Sequence, residues 1–173
     1  MKFHKKILFF LRPGYFSVFK ETFLLKKTDT KSGTFDQLVF CRRDVKDVKI
    51  PSQIKEINEN SVRQCKNLKT LTFDSNSCLE IIYERSFSMS EGVKEIVLPK
   101  SLKKVCSQAF FYIESLESVQ FLSEDVEVGF WSFNHCRNLK QISFPNAKKI
   151  NFSSQSSFIG ISQTARILVP REA

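Results

Sequence analysis

Two histidines, five cysteines and eighteen carboxylates are the residues of this 173-residue chain from which catalytic or metal chemistry would have to be built. His4 and His135 are the histidines, and His135 adjoins Cys136. A thiol beside an imidazole is a pair that cysteine nucleophiles use, but sequence neighbours seldom meet in the hydrogen-bond geometry that activation requires. The five cysteines, Cys41, Cys65, Cys78, Cys106 and Cys136, stand singly with no CxxC pair, which fits neither a disulfide framework nor a zinc site. No GxSxG, P-loop, GxGxxG or HExxH motif is present, and the carboxylates show no recurring pair that would work as acid and base. The residue types therefore predict no catalytic, metal or cofactor site.

Charge is the next candidate for function. The formal net charge is +9, and residues 1–50 carry 12 Lys/Arg against 5 Asp/Glu, so most of the excess is N-terminal. In residues 1–28, Lys2, Lys5, Lys6, Arg12, Lys20, Lys26 and Lys27 face the single Glu21. Such a segment is either a solvated flank or an arm for nucleic acid or an anionic membrane. Residues 1–11 open like a secretory signal, but Arg12 and Pro13 cut the apolar run Ile7–Leu11 and no A-x-A-like site follows. On that ground a cytoplasmic location is expected, and no stretch reaches the apolar length of a membrane span.

The elements that would have to position any site repeat at a fixed period. An apolar-x-apolar triplet recurs at Val48–Ile50, Leu71–Phe73, Ile96–Leu98, Val119–Phe121, Ile142–Phe144 and Ile167–Val169, at intervals of 23, 25, 23, 23 and 25 residues. In phase with it run Val45, Leu68, Val93, Leu116 and Leu139, then Ile57, Ile82, Val105 and Val128. An aromatic column follows at Phe87, Phe110, Phe133 and Phe158, with Val62 in its first place. A small residue, Ser61, Ser86, Ala109, Ser132 or Ser157, precedes each member, which leaves room for the ring. Pro51, Pro99, Pro145 and Pro170 directly follow triplets, as expected where a strand must end. A period of this length predicts a solenoid whose turns bury their apolar columns against one another. Cys65 and Cys136 share one column and are expected in the core, whereas Cys41 and Cys106 are the expected exposed thiols.

Segments such as VKIPSQIKEINENSVRQCKNLKTLTF and IVLPKSLKKVCSQAFFYIESLESVQF resemble the BspA-like leucine-rich repeat, a family of surface-antigen type. The resemblance covers residues 45–170 and departs at Val62 for the aromatic and at Ser90 and Ile113 for cysteine. It implies a right-handed leucine-rich-repeat solenoid of about five 23–25-residue repeats. Its concave face would be a parallel β-sheet and its convex face short irregular or helical turns. It also implies a binding or adhesion protein without enzymatic activity, at the cell surface or secreted. Residues 1–44 are then a basic cap or degenerate first repeat, 45–170 the solenoid and 171–173 a tail.

On such a solenoid the outward strand positions are the candidate partner-binding residues: Asp47, Thr70, Glu95, Ser118 and Gln141, and next to them Thr72, Gln120 and Ser143. They suit a protein or glycan partner, and they supply no lysine–aromatic track for nucleic acid. Lys46, Lys69, Lys94 and Lys140 fall at one repeat position, interrupted by Glu117. That row either receives an acidic partner or acts as a gatekeeper against edge pairing. The last strand would present unpaired backbone groups, so self-association through the C-terminal end is a further expectation. Trp131, beside Phe130 and Phe133, is expected partly buried on the convex side.

Overall fold

Each triplet supplies two inward apolar side chains separated by one outward residue, the pattern of a strand buried on one face. The computed structural model, which describes residues 14–170, forms a strand at every one of the six. In chain order the strands are β1 (Phe16–Phe19), β2 (Phe23–Lys26), β3 (Gln37–Cys41), β4 (Asp47–Ile50), β5 (Glu56–Ile57), β6 (Thr70–Phe73) and β7 (Ile81–Ile82). They continue as β8 (Glu95–Leu98), β9 (Lys104–Val105), β10 (Ser118–Phe121), β11 (Asp125–Val128), β12 (Gln141–Ser143), β13 (Lys149–Phe152) and β14 (Arg166–Leu168). From β4 on, even-numbered strands carry the triplets, and odd-numbered strands form a second sheet.

That second sheet runs β1-β2-β3-β5-β7-β9-β11-β13, parallel from β3 onward. The expected irregular or helical turns on this side are instead mostly short strands, and one 3-10 turn at Gln155–Phe158 is the sole helical segment among the described residues. Translational repetition is the reason: once one turn is extended at Glu56–Ile57, the next turn's amides find its carbonyls in register.

Between the two sheets lies a continuous core. Phe87, Phe110 and Phe133 stack with centroids 5.1 Å apart, and Phe158 adds to the stack 5.8 Å from Phe133. Phe121 and Phe144 stack at 4.6 Å, and Phe121 meets Phe133 edge-on at 6.1 Å. Offset stacks of this kind gain beyond area burial, about 0.5–1.5 kcal/mol per pair.

The small column does more than leave room for rings. The Ser132 hydroxyl donates to the Gly129 carbonyl and the Ser157 hydroxyl to the Ser154 carbonyl, while Ser86 donates to Tyr83. These three serines thus each satisfy a carbonyl three residues earlier, whereas the buried Ser61 hydroxyl in the first turn has no such bond. Ser86 and Ser157 reach the preceding turn as well, at Ile57 and Gly129. In the cysteine column, Cys136 Sγ donates to the Phe110 carbonyl at 3.2 Å and Ser90 Oγ to the Val62 carbonyl at 2.7 Å. Serine therefore replaces cysteine here without losing the bond.

Two further columns have left-handed backbone: Asn60, Arg85, Gln108 and Trp131, then Gln64, Met89, Tyr112 and His135, with φ between 54° and 61°. Gly160, at φ 76°, continues the second column. These conformations turn the chain sharply at both ends of each serine–aromatic pair, and they are costly for residues with a Cβ.

At the N-terminal end, β1 and β2 form an antiparallel hairpin, and β2 pairs antiparallel with β3. The hairpin covers the end of the second sheet. Asp36 fastens it: its carboxylate accepts from the Thr28 N–H at 2.8 Å and the Thr28 hydroxyl at 3.0 Å, while its carbonyl accepts from the Lys55 N–H at 2.8 Å. Cys41 at the end of β3 is fully buried, contrary to its expected exposure, because the hairpin and first turn close over it. Cys106 is half-buried and Cys78 is the exposed thiol.

Candidate interaction surface

The triplet-bearing strands present their middle and preceding residues outward. Register aligns these residues into two rows: Asp47 faces Thr70, and Glu95, Ser118, Gln141 and Arg166 follow one another, while Lys49 faces Thr72, and Val97, Gln120, Ser143 and Leu168 follow. Ser143 departs from the expected exposure. It is 8% exposed, because a short side chain between Gln120 and Leu168 lies below its neighbours. Ser118 and Gln120 are half-buried, and the other candidates in the two rows are exposed.

Several of these groups bind one another. Thr70 Oγ1 donates to Asp47 Oδ1 at 2.6 Å, and Lys49 Nζ lies 2.6 Å from Asp74 Oδ1. Lys49, with the Ser52 N–H, holds the Asp74 carboxyl below its ordinary range. In the lysine row, Glu117 sits between Lys94 at 3.3 Å and Lys140 at 3.5 Å, and both lower its pKa. Lys46 and Lys69 are exposed and form no ion pair among the described residues. The row is therefore two parts: an ion-paired triad that retains one net positive charge, and two cations with no ion pair among the described residues.

The sheet itself is divided at the same place. Strands β14-β12-β10-β8 form one piece and β4-β6 another, with no hydrogen-bonded pairing across β6 and β8. At the other junctions the Lys69, Glu117, Lys140 and Arg166 N–H groups reach the Lys46, Lys94, Glu117 and Lys140 carbonyls at 2.7–2.9 Å. The corresponding bond from Lys94 to Lys69 is absent. The 25-residue interval alone does not cause this, since β12 and β14 are separated by the same interval and pair normally. What is particular to this junction is Gly92, whose φ of 100° brings it against the Leu68 carbonyl; a Cβ there would lie 2.6 Å from that oxygen.

A groove of about 490 Å³ opens over the division, bounded by Thr72, Phe73, Asp74, Ser75, Ser77, Glu95, Val97, Pro99 and Lys100 among others. Val97 is 49% exposed, and Glu95 beside it forms no ion pair among the described residues. Sequence reading singles out Thr72 and Glu95 but misses Phe73, Asp74 and Lys100. A signal was present: Asp74 stands where Pro51, Pro99, Pro145 and Pro170 follow four of the other triplets, and Leu122, which also lines the groove, is the second departure.

A second feature is aromatic. Phe130 and Trp131 have centroids 4.5 Å apart and are 41% and 36% exposed. Tyr112 stacks on His135 at 5.6 Å, with Phe111 5.7 Å from the same imidazole. Trp131, Tyr112 and His135 occupy left-handed positions, which point them out from the turns. His135 is therefore engaged with rings, and Cys136 faces the core, where burial pushes its thiol up to about 12. The two do not form a nucleophile and base.

Of the basic segment, residues 1–13 lie outside the described residues. Lys20, Lys26 and Lys27 lie over the rings of Phe19, Tyr15 and Phe35 at 5.4, 5.9 and 5.1 Å. No helix of the described residues is long and apolar enough to cross a membrane.

A two-sheeted parallel solenoid with repeated serine and phenylalanine ladders and a divided outward face defines a leucine-rich-repeat protein. The chain belongs to the BspA type leucine rich repeat family, matched in six copies over residues 33–164. Among solved structures, the pneumococcal vaccine antigen PcpA is similar, with 30% identity and a TM-score of 0.61 over 72% of this chain and 30% of that one. A leucine rich cell surface protein of Faecalibacterium prausnitzii A2-165 shares 15% identity over 83% of this chain and 41% of that one, at a TM-score of 0.43. A leucine-rich repeat protein of Bacteroides ovatus shares 15% identity over 73% of this chain and 45% of that one, at a TM-score of 0.36. The chain thus spans less than half the length of each. A comparison with the curated proteins gives no match.

Proposed function

We propose that this chain is a non-catalytic protein-binding module of a cell-surface protein and that its partner seats on the outward rows, centred on the groove between β6 and β8. The observation that carries this is the composition of the groove: an exposed Val97 and a half-buried Phe73 are ringed by Thr72, Asp74, Glu95 and Lys100. An apolar centre inside a polar rim is the anatomy of a protein interface. Membership of a repeat family used for interaction, and likeness to a vaccine antigen, support the surface setting. Lys46 and Lys69, just before β4 and β6, suit an acidic flank on a partner that extends from the groove across the strand starts.

The test is binding of the purified chain to immobilised extracellular-matrix proteins and to intact cells. Val97→Asp and Thr72→Arg are each expected to lower affinity at least tenfold, and Trp131→Ala to leave it unchanged. Full binding by both groove variants, with loss in Trp131→Ala, would move the site to the aromatic turns and overturn this assignment.

A further inference from the structure

The N-terminal hairpin and the first solenoid turn meet at two cysteines that lie 24 residues apart in the chain. Cys41 ends β3, Cys65 precedes β6, and both are fully buried thiols. Their sulfurs converge on one acceptor, the Arg42 carbonyl, at 3.4 Å from Cys41 and 3.6 Å from Cys65. The shared acceptor makes the two thiols neighbours. The backbone holds both in place: the Cys41 N–H donates to the Ser61 carbonyl at 2.8 Å, and the Cys65 N–H to Ser90 Oγ at 3.2 Å.

A cation is fixed beside them. Arg43 Nη1 lies 3.9 Å from Cys65 Sγ while donating to the Ser61 carbonyl at 2.9 Å, and Nη2 donates to the Asn60 carbonyl at 3.1 Å. The Phe40 ring packs 4.5 Å from this guanidinium. Cys136, in the same column as Cys65, has no such company and bonds only to a core carbonyl.

We propose that Cys41 and Cys65 are a dithiol that closes to an intrachain disulfide, clasping β3, the strand against which the hairpin pairs, to the first turn. A small disulfide such as oxidised glutathione supplies the oxidising equivalents. The Cys65 thiolate attacks one glutathione sulfur, forming a mixed disulfide and releasing one glutathione thiolate. Cys41 then loses its proton and attacks the Cys65 sulfur, forming the Cys41–Cys65 bond and releasing the second. Two protein thiols are oxidised, one disulfide is reduced, and the two protons end on the two glutathiones. The order follows from the site: the neighbouring Cys41 thiol and the Arg43 guanidinium 3.9 Å away favour the thiolate at Cys65 over the opposing effect of burial, while the neighbouring Cys65 and burial raise Cys41. The sulfurs must approach one another to about 2 Å, and the reagent enters when the end of the solenoid opens locally.

The experiment uses the full chain, and a Cys78→Ser variant that lacks the exposed thiol. Each is incubated with oxidised glutathione at neutral pH, alkylated in denaturant, digested and mapped by mass spectrometry. A linked pair of peptides carrying Cys41 and Cys65, absent after treatment with reductant, is expected in both, together with a higher melting temperature of the oxidised protein. Recovery of both cysteines as alkylated thiols, as glutathione adducts only, or joined to other cysteines overturns the proposal. So does a clasped form that melts lower, since the bond would then form only by distorting the cap.

Discussion

At the level of single residues, the solenoid's stability rests on side chains that repeat an identical contact from turn to turn. Phe110 is fully buried between Phe87 and Phe133, so Phe110→Ala removes two stacking contacts and leaves a cavity that neighbouring rings cannot fill. A loss of about 3–5 kcal/mol is expected in denaturant unfolding. Ser132 is fully buried and donates to the Gly129 carbonyl, which also accepts from Ser157, so Ser132→Ala removes one hydrogen bond without stranding its acceptor and is expected to cost about 0.5–1.5 kcal/mol. Ala109 is the converse case. It occupies the serine column with its backbone in the same arrangement, its N–H 3.3 Å from the Cys106 carbonyl. Ala109→Ser is expected to be tolerated or stabilising by up to about 1 kcal/mol, whereas a loss beyond that would show that the column lacks space at this turn. The inward columns were legible because burial constrains residue type: a polar side chain at Leu98 or Phe121 would be left without a partner. Ser143 and Cys41 were misplaced for a related reason. Exposure at a strand position depends on the size of neighbours in other turns, and exposure near a terminus depends on what folds over it.

Among the elements, the tight turns and the divided sheet were not legible. Left-handed backbone is signalled by glycine, and here the positions are filled by Asn60, Arg85, Gln108, Gln64, Met89 and others, so nothing in residue type announces them. The exposed Gln64, at φ 58°, keeps its backbone bond to the Ser88 carbonyl at 2.9 Å, and its side chain donates only to the Met89 sulfur at 4.0 Å. Gln64→Gly is therefore expected to stabilise by about 0.5–1 kcal/mol, measured as a rise in the denaturation midpoint. Two-residue strands such as Ile81–Ile82 and Lys104–Val105 carry too short an alternation to be recognised before the repeat is known. The division between β6 and β8 has its own test. With no carbonyl from Lys69, the Lys94 amide is expected to exchange its hydrogen faster than those of Glu117 and Lys140, which donate to the preceding turn at 2.7 and 2.9 Å. Equal protection at all three would mean that the sheet is continuous in solution.

For the molecule as a whole, each turn contacts its neighbours, so stability is close to a sum over turns and the junctions between them. The period carried that much of the architecture directly, and the alternation within each triplet identified which columns face outward. It could not identify where on the outward face a partner would sit. The groove arises from an irregularity in the repeat, and the column averages that reveal a repeat conceal departures from it. Asp74 in place of proline was visible only as one of two exceptions, with Leu122, beside four agreements.

The ladders of serine and phenylalanine are related by simple translation along the solenoid, whereas the hairpin at one end is related to nothing else in the chain. Length and ending are therefore separately encoded. A duplicated 23-residue segment such as 96–118, inserted after itself, would bring each column back into phase and add one turn without disturbing the hairpin. Elongation by whole turns is open to such a gene through tandem duplication of its middle, and every intermediate length would inherit the same start.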